Sequence, residues 1–445
     1  MTSLIPALID LTLKAQHKGA DAADAVGLVS QSVSVTVRKS EVEHLGRSES
    51  TDIGLRVFIG KRQAIVSSSD TSPKALEELA ERAVDMARVV PEDPYCGLAP
   101  TDRLAGASPD LDTCDEHEPS SDTLTMWAKI AESSALSIDG VTNSDGANCG
   151  WGRTQVSLVG SNGLIKSHAF TSSSLSVSVL AGKTTDTMET DYDVTSAVYF
   201  SDLRPAVEVG QVAGLRAVKR LGAKKLGSGR MPVVFAPRVA RGLLTHLTGA
   251  INGAAVARGS SFLKDKLGQM ILPKGMTIID DPHRTRGLRS RPCDGEGLPT
   301  LRRALVEDGR LTTWILDLSS ARQLGLQSTG HATRGPSSPP SPSCSNVYLE
   351  PGAATPAELI SDIKEGLYVT DLFGQGVNGV NGDYSRGAAG YRIENGVISH
   401  PVTEVTIAGN LLDMYAHLSA ANDLRFHYGV DSPTLRVAAM TVAGK

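Results

Sequence analysis

The sequence predicts an α+β fold, an N-terminal mixed helix/antiparallel-sheet region followed by a β-rich C-terminal domain. Three observations carry this. Apolar residues alternate with period two in several stretches, and some of these stretches pair across short glycine turns. Amphipathic helical stripes stand between the pairs. No strand–helix–strand rhythm links them, so a doubly wound parallel sheet is not expected.

In chain order, residues 3–18 carry Leu4, Ile5, Leu8, Ile9, Leu11 and Leu13 as a helical stripe. Ser32 to Val37 alternates as a half-buried strand. Ile53–Ile59 and residues 62–66 read as a hairpin across Gly60-Lys61, and Pro73 opens a helix to Val90. Residues 91–123 hold nine acidic residues against Arg103 as the one lysine or arginine, with five prolines. They predict a solvated linker. A helix over 123–138 follows, then strands at 155–159, 164–170 and 174–180, the first two joined by Ser161-Asn162-Gly163. A helix near 202–222 ends in Arg216, Lys219, Arg220, Lys224 and Lys225, read as a solvated basic face. Met231–Phe235 is a short buried strand and Arg238–Asn252 a helix. Hairpins are expected across Asp308-Gly309 and Asn395-Gly396, then a helix from Asn410 to Ala421 and a last strand from Leu435 to Val442. The domains expected are 1–228, with sub-blocks 1–90 and 123–228 joined by linker 91–122, and 229–445.

Composition excludes several classes. The 445 residues carry a net charge of -5, which argues against a nucleic-acid partner. No apolar run approaches a membrane span, and none reads as a signal peptide. The five cysteines are odd in number, widely spaced and lack a CxxC, so a reducing cytoplasm is expected. No GxGxxG opens a helix after a strand, and Walker A, GxSxG and HExxH patterns are absent.

Four segments carry candidate chemistry. In Arg241–Phe262 and the two residues ahead of it, Val239, Leu243, Leu247 and Ile251 recur every four residues as a core stripe, with His246 beside it. Residues 278–297 mix Asp294, Glu296 and other acids with four arginines. They form either a loop for a peptide carboxylate or partner subunit, or a self-neutralising ion network. The Pro/Ser-rich run 330–346 reads as a binding loop or disorder, and contains His331, Arg334 and Cys344. His331 and Cys344 could also pair as base and nucleophile. The run 374–390 has six glycines, which suits close approach of an extended peptide or a partner strand.

At these residues the chain resembles the TldD/PmbA family, in its PmbA (TldE) branch. The resemblance is carried by Ala254–Leu263, by Asp280-Asp281-Pro282 through Asp294-Gly295-Glu296-Gly297, by Ser345–Gly352, by Gly382-Asp383-Tyr384-Ser385-Arg386-Gly387, and by Glu404–Leu411. It implies a cytosolic zinc metallopeptidase system acting on unfolded or short peptides. A TldD-type chain with an HExxxH helix and a late cysteine pairs there with a PmbA-type chain. Aligned on those blocks, His246 takes the first ligand position, Leu247 that of the glutamate and Ile251 that of the second histidine. No cysteine follows Cys344. The expectation is a chain with no catalytic residue and no metal or cofactor of its own, the zinc lying in a TldD-type subunit. Such a chain would grip extended peptides by strand addition along sheet edges, through Gly382, Asp383, Tyr384, Ser385, Arg386, Asp294, Glu296, His331 and Arg334. The alternative is a homodimeric, non-catalytic peptide-binding or regulatory protein acting on a toxin or gyrase system.

Overall fold

Alternation along strands decides the N-terminal half. In the computed structural model, which describes residues 3–184 and 188–444, this half comprises α1 (Ile5–His17), β1 (Ala22–Arg38), β2 (Glu41–Ile59), β3 (Arg62–Ser68), α2 (Pro73–Val89), α3 (Ser121–Leu136), β4 (Val141–Gly160), β5 (Ile165–Ala181), β6 (Glu189–Ala197) and α4 (Ala206–Lys219). All six strands join one antiparallel sheet in the order β3-β2-β1-β4-β5-β6. Odd-numbered residues of β1 face the helices. Ala23 and Ala25 pack under α1 and α2, while Val33, Val35 and Val37 pack under α3 and α4. The small residues of α4 let it lie close to α3. A Cβ on Gly210 would stand 2.2 Å from the Ala131 carbonyl oxygen. The two expected sub-blocks thus share a single sheet, because β1 pairs β4 from Asp24↔Gly160 to Val37↔Ala147.

The C-terminal half runs β7 (Gly229–Phe235), α5 (Pro237–Ala250), α6 (Gly253–Ala257), β8 (Ile278–Asp280), β9 (Arg303–Glu307), β10 (Arg310–Leu311), α7 (Leu318–Gln323), β11 (Ala332–Thr333), β12 (Ser341–Pro342), β13 (Val347–Leu349), α8 (Pro356–Ile360), β14 (Glu365–Phe373), β15 (Asp383–Glu394), β16 (Val397–Asn410), α9 (Leu411–Ala416), β17 (Leu418–Ala420), β18 (Val430–Asp431) and β19 (Leu435–Ala443). Strands β16-β15-β14-β7-β19 form a ring, since β16 pairs back onto β19 at Ile407↔Val442. A second sheet, β10-β9-β8-β13-β18, lies beside it. One large core joins the two, including Phe235, Leu247, Ile251, Leu305, Val347, Tyr384 and Ile407. The observed class is α+β with a β-rich C-terminal unit, as the alternation predicts.

Three expectations change. Residues 91–120 carry regular structure only at Thr101–Arg103, but they do not hang free in solvent. Arg322 donates to the Tyr95, Gly97 and Leu98 carbonyls, and the buried Asp115 accepts from Phe200 N. The Pro/Ser-rich run is packed, with Pro336 over Gly54 of β2 and the Pro342 carbonyl accepting from the Asn252 side chain. The basic tail of α4 is not a free face. Arg216 pairs with Asp193, and Arg220 with Glu189, Asp191 and Asp371, so α4, β6 and β14 are tied together.

A buried ion cluster joins the two halves. Asp24 of β1 receives two bonds from Arg56 of β2, at 3.0 and 2.6 Å, and one from Arg334 of the C-terminal half, at 2.9 Å. All three side chains are almost fully buried. Burial opposes the charge on Asp24, but Arg334 and Arg56 outweigh it and hold the carboxyl below its usual range. Glu296 lies in the same cluster. Burial pushes its carboxyl up to about 8 against the pull of Arg56.

Asp24→Ala should strand two buried guanidiniums and cost about 3–5 kcal/mol, measured by urea unfolding. Removing the exposed Lys74–Glu78 pair should cost at most about 1 kcal/mol. For Glu296 the folded state prefers the proton, so stability present below the ordinary value of 4.5 is lost as pH rises through about 8. The wild-type urea midpoint should therefore fall between pH 5 and pH 8 relative to Glu296→Gln, which cannot titrate. Parallel pH profiles for the two proteins would refute this.

Candidate functional site

The helix singled out by sequence is α5, which starts with Pro237 at its first turn and stops where Ile251 caps it. Its apolar stripe faces the core, where Leu247 is 1% and Ile251 0% exposed. Ile251 is further pinned because its carbonyl accepts from Ile315 N. The opposite side of the helix turns Thr245, His246, Gly249 and Ala250 toward a cavity of about 360 Å³. Phe262, the loop residues Gln375, Val377 and Gly379, and Arg386 of β15 complete its walls. His246 and Tyr384 meet edge to face with ring centroids 6.0 Å apart. Burial, with Arg386 second, lowers the imidazole's proton affinity, so His246 is neutral at pH 7. Arg386 donates weakly to the Leu372 carbonyl at 3.4 Å, and its buried Nε has no hydrogen-bond partner.

The glycine-rich segment brings the expected residues only partly together. Tyr384 and Arg386 alternate with the exposed Asp383 and Ser385, so only the first pair points to the His246 side. Gly382 sits at the loop end with φ +83, where its amide donates to the Asn378 carbonyl. The loop ahead of it folds back as Ser385 N donates to the Gly376 carbonyl at 2.6 Å.

Asp294, Glu296, His331 and Arg334 lie elsewhere and are buried. Asp294 accepts from the Glu296, Leu298 and Ala332 amides, which fixes the turn. Glu296 accepts from Leu318 N at the start of α7. Arg334 is committed to Asp24. His331 has both ring nitrogens engaged, one with Thr329 and one with Asp280. Two arginines of 284–291 likewise find hydrogen-bonded or charged protein partners. Arg286 binds Asp112 and Asp202, and Arg291 the Ala332 and Ser343 carbonyls. Of the two readings of this segment, the internal network is the one these contacts fit. Burial and Asp280 push the Cys344 thiol well up, and His331 has no free nitrogen to act as base, which is unsuited to a cysteine nucleophile.

The catalytic zinc implied by the resemblance can be tested against these residues. Such a site needs about three protein ligands. Among the residues lining the α5 cavity, only His246 offers an imidazole, thiolate or carboxylate. Leu247 and Ile251 do not face the cavity at all. The residues do not fit a catalytic zinc here, and no step is derived through one.

Sequence reasoning missed a larger cavity of about 810 Å³ between β6, α4 and the C-terminal half. Its walls include Asp191, Asp193, Arg204, Arg216, Arg238 and Tyr428. The available signal was Asp191 and Asp193 alternating on one strand face, which requires cations from other elements. Strand addition is also narrowed. Ring closure pairs β16 and β19 with each other, leaving β3 and β6 as the edges of the N-terminal sheet. Among the described residues, no helix is long and apolar enough to cross a membrane.

Comparison with known proteins agrees with this architecture. Three family profiles match, described as PmbA/TldA metallopeptidase domain 1 over residues 23–87, the central domain over 114–222 and the C-terminal domain over 228–444. The chain is 39% identical to the metalloprotease PmbA of Escherichia coli O157:H7 over 430 residues, covering 96% of this chain and 93% of that one. A candidate modulator of DNA gyrase from Bacteroides thetaiotaomicron superposes with a TM-score of 0.90 at 27% identity, covering 99% and 98% of the two chains. TldE from Thermococcus kodakarensis shares the fold, with a TM-score of 0.87, 21% identity and 98% and 100% coverage. With all three domains matched in order along nearly the whole length, this chain belongs to the PmbA/TldD metallopeptidase family.

Proposed function

We propose that this chain is the TldE-type, non-catalytic subunit of a cytosolic two-chain zinc metallopeptidase that cleaves unfolded or short peptides. A TldD-type partner supplies the zinc, while this chain shapes the chamber and holds the extended substrate. One observation carries the reading. The α5 cavity is formed and open, yet offers one ligating side chain where hydrolysis on a metal needs about three. The His246 imidazole and the Arg386 guanidinium, both lining the cavity, can meet peptide oxygens, whereas they cannot generate a hydroxide. Five free cysteines are consistent with a reducing compartment.

The test mixes the purified chain with a TldD-type partner and follows a fluorogenic unstructured peptide. The isolated chain should not cleave, and the mixture should. In the mixture, His246→Ala here should leave kcat within about twofold, since loss of a true catalytic base costs about 10²–10⁴-fold. Arg386→Gln should raise KM by about tenfold with kcat kept, the loss of one charge-assisted hydrogen bond. Cleavage by the isolated chain that His246→Ala abolishes would sink the proposal. A symmetric dimer that binds peptide and ignores the partner would shift the reading to the homodimeric regulator.

A further inference from the structure

Away from the α5 cavity, three side chains of different chemistry converge. Asp280 ends β8, His331 directly precedes β11, and Cys344 follows β12. Their ligand atoms all lie within 4.8 Å of one another, the one group of three or more such residues found among the described residues. Asp280 and His331 are buried, and Cys344 is partly exposed.

The backbone brings them together for reasons that can be traced. β11 and β12 pair as Ala332↔Pro342 and Thr333↔Ser341, and Ser343 N donates to the His331 carbonyl at 2.8 Å. This hairpin returns the thiol to the imidazole. β8 and β13 pair as Asp280↔Val347, which sets Asp280 beside the same segment. Gly330, at φ +72, makes the turn just before His331. Any Cβ there would stand 2.3 Å from the Pro299 carbonyl oxygen. Arg291 donates to the Ala332 and Ser343 carbonyls, one on each side of the hairpin.

The outer contacts orient the inner atoms. The Thr329 hydroxyl meets His331 Nδ1 at 2.8 Å, leaving Nε2 directed at Asp280 Oδ2, 3.0 Å away. Asp280 Oδ1 is occupied by Ser345 N at 2.7 Å and Ser345 Oγ at 2.9 Å. One carboxylate oxygen, one ring nitrogen and one sulfur therefore face each other, each held from behind. Support of this kind is what metal ligands characteristically have.

We propose that Asp280, His331 and Cys344 form a binding site for a divalent first-row transition cation, of which Zn²⁺ is the representative. A mixed oxygen, nitrogen and sulfur set suits this class and does not suit Ca²⁺ or Mg²⁺. Ligand atoms of a tetrahedral zinc sit about 3.5 Å apart, so the three need to draw in by little more than about an ångström. Binding replaces the Nε2–Oδ2 contact by two bonds to the ion, the imidazole proton moving through solvent from Nε2 to Nδ1, which then donates to the Thr329 hydroxyl. Cys344 gives its proton to solvent as the sulfur–metal bond forms, and water takes the fourth position. The carboxylate and thiolate then neutralise the dication. Burial that disfavours a bare thiolate beside Asp280 is thereby relieved. The site is separate from the α5 cavity and ties β8 to the segment between β12 and β13. It would stabilise the fold and does not depend on the subunit role proposed above.

Cobalt is the informative probe, because a thiolate–cobalt bond gives a near-ultraviolet charge-transfer band. The full chain is stripped with chelator and titrated with Co²⁺, then with Zn²⁺. Expected are one equivalent of Co²⁺, a charge-transfer band that Zn²⁺ bleaches, and a raised thermal midpoint. Cys344→Ala should lose the band and weaken binding at least about tenfold. His246→Ala should keep both, which separates this site from the α5 cavity. The metal-free thermal midpoint of Cys344→Ala serves as the folding control. Should that variant not fold, mass spectrometry of wild-type protein decides, with Zn²⁺ protecting Cys344 from alkylation. No band at saturating cobalt, a band kept in folded Cys344→Ala, one lost in His246→Ala, or Cys344 alkylated equally with and without Zn²⁺ would each overturn the proposal.

Discussion

The structure depends first on Asp24. A carboxylate placed on the side of β1 away from its helices meets one guanidinium from the neighbouring strand and another from the distant 330–346 segment. Each ion alone would be untenable without water, so each is kept only by the others. The apolar cluster there is small: Val26, Leu158 and Leu164 meet Cys293, with Leu28, Leu104, Ala105 and Val156 packed around them. The ions therefore do what a larger apolar interface does in other two-unit chains, and they demand one relative placement of the two halves. Asp191 repeats the device at the other end. It holds Arg238 through two bonds and lies 3.6 Å from Arg220.

With the halves fixed, helix periodicity assigns roles within α5. Residues four apart share a face, so Leu243, Leu247 and Ile251 anchor the helix while His246 looks out with Thr245 and Gly249. The alignment-based expectation put the degenerate acid and second imidazole at Leu247 and Ile251, positions whose side chains enter the core. The geometry reaches the same outcome by another route. On the cavity side, the α5 neighbours of His246 are Thr245, Gly249 and Ala250, and none of the walls adds a second imidazole, thiolate or carboxylate to complete a metal shell. Glycines near this helix end leave room there, and Arg386 reaches the space from β15.

Much of this was legible in the sequence where information is local. Asn162-Gly163, Asp308-Gly309 and Asn395-Gly396 mark hairpins that form, and Pro73 opens α2, which the structure caps with the Ser72 hydroxyl. What escaped was set by distant partners. Thr171-Ser172-Ser173 looks like a break between strands, yet β5 runs through it because the Thr171 hydroxyl bonds the Val198 carbonyl and Asp115 N. Leu311–Leu316 looks like a full strand, but Ile315 leaves the hairpin to bond the end of α5. The expected helix to Ala421 stops at Ala416, where pairing of Leu418 with Val437 takes over. Prolines 336–342 read as a binding loop or disorder because composition cannot reveal that β2 and Asn252 await them. The site residues divide in the same way. Arg386 was found from a motif, whereas Asp280 and Cys344 meet only through strand pairing and a hairpin.

The ring of strands also governs how the chain can be made. β7 lies between β14 and β19, so the opening strand of the C-terminal half finds one of its neighbours in the final strand, some two hundred positions later. During synthesis the N-terminal sheet is complete once β6 emerges, while β7 must wait with both flanks bare until β14 is made and with one bare until Leu435–Ala443 leaves the ribosome. Throughout that interval an apolar strand, Val233 to Phe235, is available to any other chain.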